Sequence, residues 1–383
     1  MLSRIKFLIK LIIYYFINFS IVPSKKIKNK TILLVRLDAI GDYVLFRNYI
    51  EVLKKSEKYK DYKVTFLGNI AWKNLALELD NEFIDYFIWL NKTKFSKDFV
   101  YRYKKLKEIA SVGYEILLSP VYSRDFFECD CIVKNVNAEE KIGSNGDLAN
   151  IKKWQKNISD GYYTKLIPAN DEIMFEFYRN KEFFENLFDK KIDIKKPVIR
   201  LEDRKLNFDL PKNYAILFIG SSASFRKWSI ENFVEIGKFL KEKYNYDIVL
   251  CGGPTDIGSA KEFKRLANFK YTDLVGKTSL IDFLHVINNG NLMISNETSA
   301  SHFAVALEMT NIFVISNGNN FGRFTPYSKE IWKEYHPIYH PEIEKDLDNY
   351  KKLSNCYGYG SQLDINEINV DTVIKKIDKV LNV

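Results

Sequence analysis

Short, nearly continuous runs of apolar residues recur along this chain, and segments with helical periodicity lie between them. Parallel strands buried on both faces have this composition, and a helical crossover is needed to connect them. The alternation therefore predicts an α/β chain with parallel sheets. The predicted strands are Ile32–Val35, Val64–Leu67, Phe83–Leu90, Glu115–Leu118, Tyr214–Gly220, Tyr246–Gly253, Asn291–Ser295 and Asn311–Ser316.

A polar segment with two prolines, residues 190–213, separates the two groups of predicted strands. Because it lacks clear periodicity, we interpret it as a linker between two sheet domains. We predict a first domain over residues 30–195 and a second over residues 210–350. The apolar spacing of the tail, residues 364–383, is typical of an amphipathic helix.

The amino-terminal residues 1–24 combine Arg4, Lys6 and Lys10 with an uncharged run of 14 residues. That run is shorter than the roughly 20 residues needed to span a bilayer. With lysines at both ends, the segment is typical of a helix that lies on an anionic membrane surface. The alternative is a helix that packs on the surface of this protein.

The net charge and the cysteine content narrow the possible partners, metal sites and cellular compartment of the protein. The net charge of +9 favours polyanionic partners, but a lysine-rich solvated surface explains it equally well. Because the lysines are scattered along the chain, we do not predict nucleic-acid binding. Cys129 and Cys131 have a one-residue spacer, unlike a zinc knuckle, and the chain has only four histidines. The sequence predicts no metal site and a reducing compartment.

The stretch RLDAIGDYV places two aspartates around a glycine turn at the end of the first predicted strand. Ligands of open α/β sheets bind outside the carboxyl ends of the strands. Asp42 would stand near the start of the next helix, where a carboxylate can accept a proton from an attacking hydroxyl. The alternative is a helix cap, since aspartate is favoured there. Asp38 is interpreted as a turn or packing residue.

A second polar segment, GSSASFRKWS, follows the strand that ends at Gly220. Backbone N–H groups near Ser221 and Ser222, together with Arg226 and Lys227, could bind phosphates. A flexible loop with a solvated basic pair is the alternative.

The third segment, CGGPTD, offers Gly252 and Gly253, which let a ligand approach the backbone closely. An ordinary strand-to-helix turn accounts for both glycines as well. They form no G-x-G-x-x-G pattern, so a dinucleotide fingerprint is not supported.

The fourth segment, SNETSASHF, opens a helix of small residues after a buried strand. Small side chains at Thr298 and Ser299 would let a pyrophosphate reach the N–H groups of the helix start. Glu297 could hold a sugar or ribose hydroxyl. His302, taken alone, is more typical of a core histidine than of a ligand.

Together these segments resemble glycosyltransferase family 9, the heptosyltransferases of lipopolysaccharide core assembly. The matching pieces occur in the right order between residue 31 and about residue 318. They are ILLVRLDAIGDYVL, YEILLSPVYSRD with EEKIGS, LFIGSSASFRKWSIENFVEIGKFL, IVLCGGPTD, DLVGKTSLIDFLHVINNGNLMISNETSASHFAVAL and NIFVISNG.

The resemblance implies two facing Rossmann-like domains of the GT-B type with a cleft between them. A C-terminal helix would cross back to the first domain. The implied activity is inverting transfer without metal or cofactor, from a nucleotide-sugar, by default ADP-heptose. The implied acceptor is a lipid-linked or oligosaccharide surface glycan. The enzyme would be cytoplasmic, peripheral on the inner face of the cytoplasmic membrane.

Position by position, the resemblance makes Asp42 the catalytic base and places Arg226 and Lys227 at the leaving diphosphate. The diphosphate would bind the backbone N–H groups of Thr298, Ser299 and Ala300, with His302 on the same helix. Glu297 stands where many members have aspartate, which leaves the donor sugar open. A different donor, a protein acceptor or a non-catalytic homologue stay as alternatives.

Overall fold

The computed structural model describes residues 2–382, and the side chains of residues 9–382. Met1 and the side chains of Arg4 and Lys6, which the membrane prediction also used, lie outside this part. The chain divides into two compact units. The first contains Met1–Asp171 and Tyr178–Asp193, and the second contains Glu172–Phe177 and Ile194–Val383. Residues 190–213, the predicted linker, contain no helix or strand.

The first unit is built on a parallel sheet with strand order β3-β2-β1-β4-β5-β6. The order reverses between β1 and β4, where open α/β sheets form a crevice for ligands. Its elements are α1 (Leu2–Ser20), β1 (Ile27–Arg36), α2 (Ile40–Phe46), α3 (Asn48–Lys55), β2 (Lys63–Asn69), α4 (Lys73–Leu79), β3 (Tyr86–Leu90), α5 (Lys92–Lys97), α6 (Phe99–Ala110), β4 (Gly113–Ser119), α7 (Cys129–Asn135), β5 (Ala138–Ser144), α8 (Lys153–Asp160), β6 (Lys165–Ile167) and, from Tyr178 onward, α9 (Glu176–Phe188).

The second unit repeats this design with strand order β12-β11-β10-β7-β8-β9, again parallel. Its reversal falls between β7 and β10. Its elements are β7 (Tyr214–Phe218), α10 (Ile230–Tyr244), β8 (Asp247–Cys251), α11 (Ile257–Leu266), β9 (Thr272–Asp273), α12 (Leu280–Asn288), β10 (Leu292–Asn296), α13 (Ser299–Ala306), β11 (Ile312–Ser316), β12 (Tyr335–Tyr339), α14 (Pro341–Glu344), α15 (Tyr350–Tyr357) and α16 (Val370–Leu381).

The eight predicted strands are all present, with ends shifted by a few residues, and the predicted α/β class is confirmed. The central strands β10 and β11 are buried along their whole length, as continuous apolar runs require when helices cover both faces. Strand β12 contains Pro337, and it lies at an edge, where a missing backbone donor is tolerated.

The C-terminal helix α16 belongs to the second unit and packs there. Val373 and Ile377 are fully buried in the same apolar core as Phe233 and Leu240 of α10. Lys243 and Tyr244 at the end of α10 bond Asp378 of α16, each at 2.7 Å. The expectation that this helix crosses back to the first domain is therefore wrong, because its apolar face is buried within the second unit.

The amino-terminal helix α1 packs one face on the first unit, with Tyr14 and the following Ile21 buried. Among the described residues, no helix is both long enough and apolar enough to cross a membrane.

Candidate active site

The loops after β7 and β10 lie side by side at the reversal point of the second sheet. Phe218 of β7 pairs with Ser295 of β10, so both strands end at the same edge. Gly220 follows the first strand and Glu297 follows the second. The second and fourth sequence-predicted segments are thus brought together, where ligands of such sheets bind.

Asn296, the last residue of β10, holds these two loops together. It is fully buried, and its amide donates to the carbonyls of Ile219 and Gly220 at 3.1 and 3.3 Å. Its carbonyl oxygen accepts the backbone N–H of Trp228 at 3.0 Å. Sequence reasoning missed this residue, although a buried polar side chain at the end of an apolar strand is a usable signal.

Trp228 fixes the far end of the basic loop. Its side chain is 1% exposed, and the indole N–H donates to the carbonyl of Ile368 at 2.7 Å. Ser229 then caps α10 by accepting the N–H of Asn232. The loop from residue 220 to residue 228 is therefore anchored at both ends. This anchoring restricts where Arg226 and Lys227 can lie.

Arg226 lies between the two loops. Its Nη2 donates to Ser222 Oγ at 2.6 Å, and its Nη1 is 3.9 Å from Glu297 Oε1. The guanidinium is partly exposed, whereas Glu297 is buried. A partly exposed guanidinium in this position can bind a phosphate in a fork geometry.

Glu297 is a buried carboxyl group whose charge is poorly compensated. Ser316 Oγ donates to its Oε2 at 2.9 Å, and its ionic partner Arg226 lies 3.9 Å away. Burial raises the pKa of Glu297 to about 7, against the opposing effect of Arg226. Near neutral pH this group can therefore either accept or donate a hydrogen bond.

Thr298 begins α13 as its N-cap. Its Oγ1 accepts the N–H of Ala300 at 3.2 Å, and its carbonyl accepts the N–H of Ser301 at 3.2 Å. Two of the N–H groups at this helix start thus have partners within the chain. The helix itself is buried from Ala300 to Ala306, as its small residues require.

Lys227 points to a different acid from its neighbour. Its Nζ is 2.6 Å from Asp256 Oδ1, and Asp256 Oδ2 accepts the N–H of Gly253 at 2.9 Å. A Cβ built on Gly220 would lie 2.5 Å from the same Oδ2, and one on Gly252 would lie 3.2 Å from the Asp256 Cβ. Gly220 and Gly252 thus make room for Asp256, which sequence reasoning missed as a partner.

His302 is buried in the core of the second unit. Its Nδ1 is 2.9 Å from the hydroxyl of Tyr327. Burial lowers the pKa of His302 to about 4, so the imidazole is neutral at physiological pH. The structure thus gives it the surroundings of a core histidine.

In the first unit, Asp42 occupies the first turn of α2 and is half-buried. The N-cap position belongs to Ala39, with no side-chain cap, so Asp42 does not cap the helix. It remains within the first turn, where a negative charge interacts favourably with the helix dipole.

The backbone ahead of Asp42 is fixed by two side chains of the next β–α connection. The carbonyl of Asp38 accepts from Asn69 Nδ2 at 3.1 Å and from Trp72 Nε1 at 3.0 Å. The Trp72 ring also stacks on Tyr43, with centroids 4.5 Å apart and planes 9° apart. The carboxylate of Asp38 pairs with Arg36 at 2.6 Å. Nothing in the sequence pattern indicated Asn69 or Trp72.

The four cysteines are free, with Cys129, Cys131 and Cys251 buried and Cys356 exposed. In the part of the chain that the structure describes, no group of three histidine, cysteine or acidic residues could hold a metal ion.

The sequence of residues 102–350 matches the family model described as glycosyltransferase family 9 (heptosyltransferase). The chain belongs to glycosyltransferase family 9. That span contains all the site segments of the second unit, whereas Asp42 precedes it.

Solved structures of family 9 enzymes have the same fold. One from Veillonella parvula has a TM-score of 0.67 and 18% identity, covering 94% of this chain and 99% of that chain. The Escherichia coli heptosyltransferase WaaC with ADP has a TM-score of 0.64 and 13% identity, covering 91% and 99%. The E. coli ADP-heptose lipopolysaccharide heptosyltransferase II has a TM-score of 0.63 and 13% identity, covering 92% of this chain and 98% of that chain. These matches confirm the expected pair of Rossmann-like domains of the GT-B type, and family membership makes the chain a glycosyltransferase.

Proposed function

We propose that this family 9 enzyme is an inverting glycosyltransferase that needs no metal or cofactor. It transfers a sugar, by default heptose from ADP-heptose, to a lipopolysaccharide-core or other surface-glycan acceptor. The acceptor is lipid-linked or an oligosaccharide, and the enzyme works in the cytoplasm at the anionic inner face of the membrane. WaaC has been solved with ADP and with ADP-2-deoxy-2-fluoro heptose, which supports this donor as the default.

The observation that carries the proposal is the position of Arg226 at the reversal point of the second sheet. It lies between Ser222 and Glu297, beside the start of α13. We assign the donor diphosphate to this guanidinium and to backbone N–H groups of residues 220–222, 298 and 299, since the N–H of Ala300 is already bonded to Thr298. As the leaving group gains negative charge, a fixed donor of this kind lowers the barrier by roughly 3 kcal/mol.

In this proposal, Lys227 and the two glycines after β8 act at the edge of the diphosphate site. Because Asp256 holds Lys227, the ammonium contributes long-range positive charge, and Arg226 makes the direct contact. Gly252 and Gly253 leave the backbone accessible to the nucleotide. His302, a neutral group in the first turn of α13 that is bonded to the Tyr327 hydroxyl, packs in the core and does not contact the diphosphate in this proposal.

Asp42 is the proposed general base. It accepts the proton of the acceptor hydroxyl while that oxygen attacks the anomeric carbon from the face opposite the diphosphate. The bond to the diphosphate breaks, and its electron pair leaves with the nucleotide. Attack from the opposite face inverts the configuration, and the proton on Asp42 returns to solvent.

The identity of residue 297 favours a second candidate function, in which the enzyme performs the same chemistry with another donor sugar. Glu297 stands where many family members have aspartate, and it is buried beside Arg226. One extra methylene displaces the carboxyl group by roughly 1.5 Å, which changes the hydroxyl it can reach.

A panel of nucleotide-sugars tested by thermal shift identifies the donor, since a bound ligand raises the melting temperature. We expect ADP-heptose to give the largest rise. A response to a uridine or guanosine sugar with none to ADP-heptose would rule out the default donor. No response to any nucleotide-sugar would rule out the transferase proposal.

Asp42→Asn tests the base. Transfer should fall by at least 100-fold, because general-base catalysis contributes about 10²–10⁴, while the thermal shift with donor stays as in the wild type. Asp61→Asn, at an exposed turn of the same unit, is the matched control and should keep full activity. Activity retained in Asp42→Asn would remove this residue as base. An intact donor shift without turnover in the wild type would instead indicate a non-catalytic homologue or an untested acceptor, such as a protein.

A further inference from the structure

Helix α1 is fixed on the first unit by one of its faces. The hydroxyl of Tyr14 donates to the carbonyl of Ser96 at 2.7 Å, and the Arg102 guanidinium lies 3.7 Å from the Tyr14 ring centroid. Asn18 Oδ1 accepts from Cys131 Sγ and Asn135 Nδ2 at 3.2 and 3.1 Å. These contacts set the rotation of the helix about its own axis.

Over residues 9–20, whose side chains the structure describes, the opposite face of α1 is exposed and carries no charge. At about 100° per residue, its side chains cluster on the side away from Tyr14. Their exposed fractions are Ile9 51%, Ile12 56%, Tyr15 62%, Phe16 64% and Phe19 79%. A helix of a globular protein normally directs such residues inward.

Helix α6, which packs against α1, also exposes apolar side chains. Phe99 packs its ring against Tyr14, with centroids 6.1 Å apart, and remains 39% exposed. Val100 is 63% exposed, and Tyr103, one turn further, is 36% exposed. Two neighbouring helices of the same unit thus expose large apolar side chains, and such exposure usually marks an interaction site. We call the surface formed by Ile9, Ile12, Phe16, Phe19, Val100 and Tyr103 the α1–α6 face.

A cluster of lysines follows α1 in the sequence. Lys25, Lys26, Lys28 and Lys30 follow the helix and are all exposed. Apolar and aromatic side chains beside a cluster of lysines match the acyl boundary and the anionic headgroups of a bilayer, respectively. A second copy of this chain would bring the same lysines together, which opposes self-association.

We propose that the α1–α6 face docks on an anionic lipid bilayer with α1 lying in the plane of the interface. The inference deepens the proposed function and rests on it for the membrane location. It adds the docking surface, and it adds that α1 stays packed on its unit rather than detaching. Because side-chain contacts lock α1, docking fixes the orientation of the whole first unit against the lipid.

Vesicle flotation tests the surface with the full-length protein. We expect binding to vesicles of phosphatidylcholine with 30% phosphatidylglycerol, and binding at least tenfold weaker to phosphatidylcholine alone or in 0.5 M salt. The double variant Phe16→Glu with Phe19→Glu should bind at least tenfold more weakly. Val100→Glu should also weaken binding, by severalfold, because α6 is part of the face.

Tyr86→Glu is the matched control, since Tyr86 is 58% exposed in the same unit on the edge strand β3. It should bind vesicles as the wild type does. Equal binding by wild type and the double variant would overturn the proposal, and unchanged binding by Val100→Glu would remove α6 from the face. A wild-type dimer that the double variant converts to a monomer, seen by light scattering, would make a second copy the occupant.

Nucleotide-sugar thermal shifts on the same proteins separate this proposal from the proposed function. Vesicle binding without any donor response would leave the docking surface standing and overturn the transferase. A donor response without vesicle binding would leave the transferase proposal standing and overturn the docking surface.

Discussion

Replacing Glu297 with glutamine should stabilise the ligand-free enzyme at pH 8. Glu297 is buried, and its pKa of about 7 lies well above the ordinary value of 4.5. At pH 8 the native enzyme must therefore keep a poorly solvated carboxylate. Glutamine has nearly the same shape without the charge, so it removes this cost while its amide can still accept the hydrogen bond from Ser316.

The sign and size follow from the two pKa values. Below pH 4.5 the carboxyl group is protonated in both the native and the unfolded state, and its contribution to the free energy of unfolding is fully present. As pH rises towards about 7, the unfolded chain releases the proton first, and the native state loses stability progressively. The interval between 4.5 and about 7, at about 1.4 kcal/mol for each pH unit, corresponds to about 3 kcal/mol at most.

Urea denaturation followed by tryptophan fluorescence, at half-unit steps from pH 4.5 to pH 8, measures this difference. The free energy of unfolding of Glu297→Gln minus that of the wild type should rise through the interval and level off above pH 7.5. Glu231→Gln, an exposed glutamate in the first turn of α10, is the control and should give no such rise. A difference that stays flat between pH 5 and pH 8 would refute the reasoning.

Two further predictions concern how the loops are held. Gly220→Ala should lower the free energy of unfolding by roughly 1–3 kcal/mol, because the added Cβ meets Asp256 Oδ2 at 2.5 Å; urea denaturation checks this, and an unchanged midpoint would contradict it. Trp72→Phe keeps an aromatic ring against Tyr43 but removes the bond to the Asp38 carbonyl, which should cost about 1 kcal/mol. If that bond positions the Asp42 loop, steady-state kinetics should show a lower kcat with an unchanged KM for the donor.

The sequence allowed the central strands to be predicted because burial on both faces leaves a continuous apolar run. The strands it did not reveal are at or near the sheet edges, where one side is solvated and the run is interrupted. Strand β5 (Ala138–Ser144) begins with exposed acidic residues, β6 has three residues, and β9 has two. Strand β12 contains a proline that argues against a strand anywhere except at an edge.

For the candidate site, the sequence indicated which loops to examine but not how their side chains pair. Arg226 and Lys227 are adjacent and read as one basic pair, yet each faces a different carboxylate. Asp256 and Asn296 come from other β–α connections, and only the order of strands in the sheet brings them to these loops. Such contacts depend on topology, which local spacing cannot supply.

The amino-terminal helix also has a practical consequence for anyone who shortens the gene. Arg102 is almost fully buried, and the Tyr14 ring covers its guanidinium while Phe95 and Phe127 supply carbonyls. A chain beginning after Ser20 would uncover this cation together with Phe99 and the Cys131 thiol. Truncation intended to improve solubility would thus expose a new apolar surface with an oxidisable thiol. Charged substitutions on the outer side of the helix are the safer way to improve solubility.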